Sequence, residues 1–355
     1  MFMRSVFIFN PETEIILGLD RDSYTPNRNV MHFRNRLALL PALYAGEGDI
    51  IAVDEENVDI SSLPLYDIAK LKKLDIVKIK ELGKWISASN DIRISPWGWN
   101  KEIVKRFQRA GIDSDLLPSS DQLNLLRNLA HRKVTADFFE IYGSGFPSIS
   151  TPRALESLKD LQIFLERNRD FCLKAPWSSS GRGVIFSDSF DKRKISDWAA
   201  NVIRTQGAVM AEQRYDVTLN FASEWETDKN GVRFKGLSFF DASKGGNYMG
   251  NILRPQTEIE HYIKRNTSFT DSIIEVQRKF IESRIQPHYS GLLGIDMFST
   301  LDGTVNPCVE INMRRTMGHV AIEIEHKMSD PSNPTLAKRL QTLFPDRLFS
   351  AISFI

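Results

Sequence analysis

The chain has 355 residues, of which 42% are hydrophobic and 26% are charged, a size typical of two or three domains with buried cores. Its 46 basic and 45 acidic residues leave a formal net charge of +1, which excludes nucleic-acid binding by bulk charge and an acidic disordered chain. Any anion-binding site must therefore consist of a few well-placed cations.

The cysteine content and the lack of long apolar segments narrow the class of protein further. Cys172 and Cys308 are the only cysteines, too few for a disulfide framework or a cysteine-rich zinc site. The N-terminal apolar run is too short for a signal peptide, and no stretch approaches about 18 apolar residues. We therefore expect a cytoplasmic protein that does not associate with membranes.

The first 115 residues alternate short apolar runs with helical patterns, which predicts an open α/β sheet with helices on its faces. After the first strand, Asn10 and Pro11 predict the start of a helix, since asparagine caps helices and proline favours their first position. The predicted elements are a strand at 6–9, a helix at 34–45, strands at 49–53 and 91–95, and a helix from Asn100 to Gly111.

Residues 116–328 are predicted to form a second region of two parts, about 116–210 and 211–328, before a helical tail at 329–355. Ser119 and Gln122 have the spacing of a capping box. The predicted helices lie at 119–130, 133–142, 151–165, 195–207 and 272–285, and the strands at 171–175, 208–212, 219–225, 234–240, 292–299 and 305–313.

The segment FCLKAPWSSSGRGV carries the first chemical signal. A strand places Lys174 before a loop of small and hydroxyl-bearing residues, whose backbone N–H groups can turn toward an anion. The spacing matches neither the Walker nor the dinucleotide-binding glycine pattern. A mobile surface hairpin tip is the alternative interpretation.

A second signal is the hairpin GLLGIDMFST…VNPCVEINMRR. A three-residue loop at 302–304 would pair Leu301 with Val305 and place Asp296 opposite Glu310. Because alternate residues of a strand share a face, Asn312 would lie on the same face as these two acids. Three oxygen-bearing side chains together suit a hard cation such as Mg²⁺. The alternative is an ion-pair network of the acids with Arg314 or Arg315.

In this order, these segments resemble the ATP-grasp superfamily over residues 117–321, and the first 115 residues resemble the pre-ATP-grasp domain. The resemblance implies an open sheet followed by a two-subdomain ATP-grasp fold, in the α/β and α+β classes. It also implies site residues. These are Lys133 and Lys174 on the phosphates, the phosphate loop of Ser178, Ser179, Ser180, Gly181, Arg182 and Gly183, the adenine contacts Glu212 and Gln213, and the Mg²⁺ ligands Asp296, Glu310 and Asn312.

The sequence departs from the family pattern in two places. The ribose-binding acid has no clear match, and Asp216, Asn220 and Glu224 compete for it. Some members carry an arginine where this chain has Gly294, so stabilisation of the reaction centre would pass to Arg314 or Arg315.

The resemblance implies a ligase that uses ATP and two Mg²⁺ ions. It would activate a small carboxylate as an acyl phosphate for attack by an amine or a thiol, and a homodimer is an open possibility. A small-molecule kinase of the same fold and a nucleotide-binding regulatory protein without turnover are the alternatives. Phosphoryl transfer depends on positioning and charge neutralisation, which agrees with the lack of a Ser-His-Asp or Cys-His pattern.

Several other polar segments admit both a structural and a functional interpretation. Residues 10–14 follow a strand end and could hold an amine substrate, or simply begin a helix. Each of the following could contact substrate or serve packing and solvation: Arg28, Arg34 and Arg36, the aromatic segment 96–99, the glycine-containing loop 244–248, and His319.

Overall fold

The structure is a computed structural model that describes residues 3–54, 59–86, 92–178, 183–243 and 248–350. Its strands are β1 Arg4–Ile8, β2 Ile50–Val53, β3 Asp75–Lys78, β4 Ile92–Pro96, β5 Arg153–Leu155, β6 Phe171–Lys174, β7 Val184–Phe186, β8 Val209–Gln213, β9 Val217–Asp228, β10 Gly231–Ala242, β11 Tyr248–Ile252, β12 Gly291–Thr300, β13 Val305–Asn312 and β14 Leu348–Phe349. Within the described ranges, no helix has the length and apolar character needed to cross a membrane.

The α-helices connect these strands. They are α1 Thr13–Leu19, α2 Arg28–Arg36, α3 Tyr66–Leu71, α4 Leu82–Ile86, α5 Lys101–Arg109, α6 Ser120–Leu129, α7 Lys133–Tyr142, α8 Leu158–Arg167, α9 Lys192–Gln206, α10 Gln256–Asn266, α11 Asp271–Phe280, α12 Met317–Met328 and α13 Pro334–Leu343.

The chain divides into two compact units. Unit 1 comprises Met1–Leu126, Gly250–Pro255 and Arg314–Ile355, and unit 2 comprises Arg127–Met249 and Gln256–Met313. The domain boundaries predicted from the sequence stay a prediction. The helix expected in the tail is present as α13, and its neighbour β14 pairs with β11 through Asn251 and Phe349.

Unit 1 is built on a parallel sheet with the order β3-β2-β1-β4. Successive residues of a strand point to opposite faces, so both faces of β1 are apolar. Phe7 and Phe9 join one core, which also contains residues of α12 and α13. Val6 and Ile8 join a second core with residues of α5. The open α/β sheet predicted from the alternation of elements is therefore confirmed.

The helix predicted to begin at Asn10 and Pro11 begins later, because Asn10 has another role. Its side-chain amide donates to the carbonyl of Gly98 at 2.7 Å and to Thr13 at 3.1 Å, and α1 starts at Thr13 after Glu12. A Cβ atom at Gly98 would lie 2.7 Å from the Thr13 methyl carbon, so the second residue after β4 must be glycine. Asn10 thus ties the end of β1 to the end of β4.

Two other predicted helices are shorter than expected. The pattern at 34–45 covers the end of α2 and a separate 3₁₀ turn, Leu40–Leu43, because Pro41 cannot donate a helical hydrogen bond. Residues 151–157 are not helical. They contain β5, and Ser157 then caps α8 by accepting from the Asp160 backbone N–H at 3.1 Å.

Unit 2 contains an antiparallel sheet with the order β5-β8-β6-β7. Helices α8 and α9 supply Leu161, Phe164, Ile195 and Ala199 to its core. Gly207 ends α9 with φ +86°, a conformation that favours glycine, as the sequence predicts.

Unit 2 contributes four strands, in the order β13-β12-β9-β10, to a second antiparallel sheet. Trp225 and Ile295 are fully buried on one of its faces. On that face Ser223 donates to the side chain of Gln277 in α11 at 2.8 Å. The opposite face carries the acidic residues described below. Strands β3, β5, β7, β11 and β14 and helices α3, α4, α10 and α12 were not predicted from the sequence.

Candidate functional site

The hairpin of β12 and β13 pairs Asp296 with Glu310, as the sequence predicts, and pairs Gly294 with Asn312. Asp296, Glu310 and Asn312 therefore lie on one face of the sheet, whereas Ile295 and Ile311 are buried on the other face. Asn312 is buried and the two acids are partly exposed. The three predicted metal ligands are thus brought together by the strand register.

The hairpin loop differs from the predicted one. The loop is Leu301–Gly303 rather than residues 302–304, because Thr300 donates its backbone N–H to the carbonyl of Thr304 at 2.9 Å. Near the turn, Ser299 pairs with Val305. This register alone would place Asp296 opposite Cys308, two residues from Glu310.

A bulge in β13 restores the pairing of the two acids. Between the pairs Phe298–Asn306 and Asp296–Glu310, β12 has one residue and β13 has three, residues 307–309. Pro307 lacks a backbone N–H, and its carbonyl accepts from the Gln277 amide at 2.7 Å. The bulge is therefore held by a buried glutamine of α11, which the sequence analysis did not single out.

Strand β9 adds a third carboxylate to the same face. Glu224 pairs with Gly294 and is almost fully buried, and Ser238 donates to it at 3.0 Å. Asn220, another candidate for the ribose contact, pairs with Phe298 farther along this face. Asp216 lies just before β9. Which of the three contacts ribose stays a prediction.

Arg132, rather than Lys133, is the buried cation at the start of α7. Arg132 is 6% exposed, its guanidinium lies 2.7 Å from the Glu310 carboxylate, and it donates to Ser178 at 2.7 Å and to the carbonyl of Ala175. The Lys133 side chain is 59% exposed and lies 3.8 Å from Glu156. Successive residues near a helix start point about 100° apart, so only one of these two cations can face the acids.

Several charged side chains of unit 2 act electrostatically on Arg132 and on the neighbouring Cys308. Burial lowers the pKa of Arg132, but Glu310 and then Glu212 outweigh it and hold the pKa above its ordinary value. The Cys308 thiol feels the charges of Asp296, Glu212 and Lys174. The β12–β13 hairpin and the β5-β8-β6-β7 sheet therefore place their charged side chains within electrostatic reach of one another.

Lys174 and Glu212 form a buried ion pair between β6 and β8. The Lys174 Nζ lies 2.6 Å from a Glu212 carboxylate oxygen, and each side chain is 10% exposed. Burial would lower the pKa of Lys174, but Glu212 keeps it above its ordinary value, so the lysine is charged. Gln213 follows at the exposed end of β8.

The loop after Lys174 is anchored at both ends. The backbone N–H of Ala175 donates to the carbonyl of Gly183 at 2.7 Å. A Cβ atom at Gly183 would lie 2.3 Å from the Cβ of Ser178, so this position requires glycine. The remaining residues predicted for the phosphate loop lie outside the described residues: Ser179, Ser180, Gly181 and Arg182.

An aromatic and basic cluster, Arg127, His131 and Trp177, fixes the entry to α7. The Arg127 guanidinium lies 3.8 Å from the Trp177 ring centroid, and the His131 ring packs edge-on against Trp177 at 4.6 Å. Burial and then Arg127 lower the pKa of His131 to about 4. The neutral ring accepts the Lys133 backbone N–H at 2.8 Å. This cluster, which the sequence did not reveal, positions Arg132.

The two arginines after the hairpin belong to unit 1. Arg314 pairs with Glu14, and Arg315 stacks on Tyr44 with its guanidinium 3.8 Å from the ring centroid. Their predicted role at the reaction centre stays a prediction. His319 is buried and forms a capping box with Thr316 at the start of α12, which favours its structural interpretation. Residues 244–247 of the predicted mobile loop lie outside the described residues.

Both cysteines behave as core residues. Cys172 and Cys308 are free and buried. Burial raises the pKa of Cys172 to about 11 and raises that of Cys308 as well, so both thiols are protonated at neutral pH.

Comparison with solved structures identifies the fold. Biotin carboxylase from Campylobacter jejuni, with 12% identity, superposes with a TM-score of 0.53 over 96% of this chain and 70% of that chain. N5-carboxyaminoimidazole synthetase from Staphylococcus aureus, with 14% identity, gives 0.50 over 91% and 74%. L-amino acid ligase from Bacillus licheniformis, with 14% identity, gives 0.50 over 92% and 71%. The chain has the ATP-grasp fold.

The ATP-grasp fold agrees with the expected architecture of an open sheet followed by two α+β subdomains. No protein-family model and no curated protein sequence matches the chain. The assignment of the ATP-grasp fold therefore depends on the superposition of this structure with the solved structures.

Proposed function

We propose that this chain is an ATP-dependent ligase that activates a carboxylate as an acyl phosphate for attack by an amine or a thiol. The observation that carries the proposal is the shared sheet face of Asp296, Glu310 and Asn312, with buried Arg132 against Glu310. Lys174 supplies a second buried cation in the same unit. Acids and cations held together in this way suit a metal–nucleotide complex.

The donor set fits Mg²⁺. Two carboxylates and one amide offer hard oxygen atoms, the ligands that Mg²⁺ prefers, and Asp296, Glu310 and Asn312 are the residues that would hold it. Bound there, Mg²⁺ would neutralise charge on the phosphate oxygens. No group of three His, Cys, Asp or Glu residues suited to a metal occurs within the described ranges, so the amide oxygen of Asn312 is part of the proposed set.

The buried cations have a separate role. Lys174 and Arg132 would bind and orient the phosphates, because phosphoryl transfer depends mainly on positioning and charge neutralisation. A substrate carboxylate oxygen bonds to the γ-phosphorus as the bond to the β–γ bridging oxygen breaks and ADP leaves. An amine or a thiol then bonds to the acyl carbon, the carbon–oxygen bond breaks, and phosphate and one proton leave.

The activities of the structurally similar proteins support this proposal. The solved structures with the same fold include an L-amino acid ligase and an N5-carboxyaminoimidazole synthetase complexed with ADP. We extend from them to this chain the use of ATP and of small-molecule substrates. A homodimer and a cytoplasmic location stay predictions.

The experiment is a phosphate-release screen with ATP and Mg²⁺ against pooled small carboxylates, each with and without pooled amines or thiols. We expect phosphate release only when both substrates are present, and a product whose mass equals their sum less one water. A product heavier than one substrate by a phosphoryl group would replace the ligase with the kinase alternative. ATP binding without turnover across broad pools would favour the regulatory alternative.

A further inference from the structure

The guanidinium group of Arg132 pairs with Glu310, one of the residues proposed to hold Mg²⁺. Its Nη2 atom lies 2.7 Å from Glu310 Oε2. The Arg132 side chain is 5% exposed, whereas the Glu310 side chain is 23% exposed and Asp296 is partly exposed as well. A ligand can therefore approach the two acids from solvent, while the cation that pairs with Glu310 lies beneath the surface.

Arg132 is held in place by further contacts. Its Nη1 atom donates to Ser178 Oγ at 2.7 Å and to the carbonyl of Ala175. Its backbone N–H donates to the carbonyl of Pro176 at 3.3 Å. A buried side chain that moves away from several partners leaves each of them without its hydrogen bond. The position of the guanidinium is therefore fixed before any ligand binds.

One N–H group of this guanidinium is unused. The Arg132 Nε atom is buried and has no hydrogen-bond partner within the described ranges, although nearly all buried polar atoms have one. An arginine side chain offers donors only and is always charged, so this N–H favours an acceptor that carries negative charge. Arg132 thus has a bond to a proposed metal ligand and a spare donor suited to a phosphate oxygen.

A second Mg²⁺ ion, which the family resemblance implies, would need the same carboxylate. Arg132 occupies Glu310 Oε2, which leaves Glu310 Oε1, Asp296 and Asn312 as the oxygen donors of the set. One ion can combine these donors with phosphate oxygens and water in the octahedral geometry that Mg²⁺ requires. A second ion would have to displace the guanidinium from Glu310. Because displacement leaves a buried cation without its anion, it is unfavourable.

The other acids that the two sheets of unit 2 contribute nearby are already engaged. A Glu212 oxygen lies 2.6 Å from Lys174 Nζ. Glu224 is 1% exposed and accepts from Ser238 at 3.0 Å. Neither acid can serve as the carboxylate of a second ion without disturbing a buried contact, so the protein supplies ligands for one ion.

We propose that Arg132 takes the place of the second Mg²⁺ ion, so that the nucleotide binds with a single divalent cation on Asp296, Glu310 and Asn312. This inference rests on the proposed function and deepens it, because it sets the metal content of the site. A guanidinium supplies one permanent positive charge. It pairs with the carboxylate and offers a donor to a phosphate oxygen, and a bridging metal ion has these same two tasks.

The experiment is equilibrium dialysis of the full chain against the β,γ-imido analogue of ATP with millimolar Mn²⁺. Mn²⁺ accepts the same oxygen ligands as Mg²⁺ and can be quantified by elemental analysis. Because the analogue resists hydrolysis, bound metal and bound nucleotide can be measured on one sample. We expect one Mn²⁺ per bound nucleotide for the wild type, and two would overturn the inference.

Arg132→Gln tests whether the guanidinium excludes the second ion. It removes the charge and leaves Glu310 Oε2 to a metal, so we expect the ratio to rise from one to two. Arg193→Gln is the matched control, since the Arg193 side chain in α9 is 91% exposed, and it should keep the ratio of one. A ratio of one in a folded Arg132 variant would overturn the assignment of Arg132 as the replacement.

Melting curves establish that each variant is folded. Arg132→Met, which keeps the apolar part of the buried side chain, replaces Arg132→Gln if that variant unfolds. Should neither variant fold, the wild-type ratio decides by itself.

Phosphate release, measured on the same preparation with Mg²⁺ and ATP, separates the inference from the proposed function. If the nucleotide binds with two ions and phosphate release depends on the substrates, the inference is wrong and the proposed function stands. If the nucleotide binds with one ion and no substrate pool yields phosphate, the ligase proposal fails and the single-ion site is supported. If no nucleotide is retained, both are wrong.

Discussion

Arg132 and Lys133 are adjacent in the sequence but differ in what their side chains contact. The ATP-grasp resemblance implies a cation at Lys133, whereas the structure buries Arg132 against Glu310 and leaves Lys133 beside Glu156. Because a periodic pattern does not show which of two adjacent residues faces inward at a helix start, the sequence alone does not separate them.

Truncation of these two residues should therefore have unequal effects. Arg132→Ala should lower the free energy of unfolding by about 3–5 kcal/mol, because it removes the buried cation that pairs with the partly exposed Glu310 and donates to the Ala175 carbonyl. Lys133→Ala, which removes an exposed side chain, should change it by less than about 0.5 kcal/mol. Urea unfolding of both variants is the measurement, and equal losses would contradict the assignment of Arg132 as the inner cation.

Glu102, a buried acid of α5, gives a pH-dependent prediction, because burial and then the charge of Glu12 raise its pKa. Its pKa is about 7 in the folded chain and 4.5 as the ordinary value, so the folded state holds the proton more tightly. Its contribution to stability is present below pH 4.5 and is lost as the pH rises through about 7. Glu102→Gln should therefore gain about 2–3 kcal/mol relative to the wild type between pH 4.5 and 8.

The measurement is urea unfolding of the wild type and Glu102→Gln across this pH range. Glu47→Gln serves as the control, because the Glu47 side chain is exposed. A difference between Glu102→Gln and the wild type that stays constant with pH would contradict the burial argument for Glu102.

At the scale of the elements, the pairing of the two acids in the β12–β13 hairpin was predictable from the sequence, whereas its loop and its bulge were not. The pairing of Asp296 with Glu310 is confirmed, although the predicted loop is wrong by one residue at each end. A register shift of two residues preserves the face of every side chain, so the common face was predictable. The bulge was not, because Gln277 of α11 holds it from outside the hairpin.

Gln277 should therefore be important for the hairpin. Gln277→Ala leaves Pro307 and Ser223 without their buried partner, and we expect a loss of about 2–4 kcal/mol in the free energy of unfolding. Gln162→Ala removes an exposed helical glutamine that bonds Glu166 and should cost less than about 0.5 kcal/mol. Equal stability of the two variants in urea would show that the bulge does not depend on α11.

Other elements were predictable where residues close together in the sequence determine them, as in helix caps. The caps at Asn100 and Ser119 are confirmed by hydrogen bonds to Ile103 and Gln122. The helix expected from residue 272 begins instead at Asp271, after Thr270. Strands such as β7 and β11 have three and five residues, too short for a periodic pattern, and tertiary pairing determines them.

At the scale of the whole molecule, the chain shares its fold with proteins whose sequences differ from it at most positions. Biotin carboxylase shares 12% identity with the chain and covers 96% of it. The site motifs could be recognised because a few charged residues keep their order along the chain. The ion-pair row of unit 1 could not be recognised, because its residues are distant in sequence and meet only when β1 lies between β2 and β4. Its members are Glu12, Arg34, Asp54, Arg106 and Glu102.

Nucleotide binding should stabilise the folded chain. At a ligand concentration a hundredfold above Kd, the gain is about 2.7 kcal/mol, which corresponds to a rise of roughly 5–10 °C in Tm for a unit near 200 residues. Thermal unfolding with millimolar ATP and Mg²⁺ is the measurement. GTP at the same concentration tests whether the site prefers adenine over guanine. An unchanged Tm for a folded sample would count against the site of unit 2.

The most direct test of the central claim is the rate of substrate-dependent phosphate release by Glu310 variants. Glu310→Ala and Glu310→Gln should release phosphate on the order of a thousandfold more slowly, because about 4 kcal/mol of charge stabilisation is lost in the transition state. Both should still bind ATP through Lys174 and Arg132, and Glu310→Gln retains an acceptor for Arg132. Glu156→Ala, at an exposed acid, should keep the wild-type rate. If both Glu310 variants retain most of that rate, Glu310 only pairs with Arg132, and the account is contradicted.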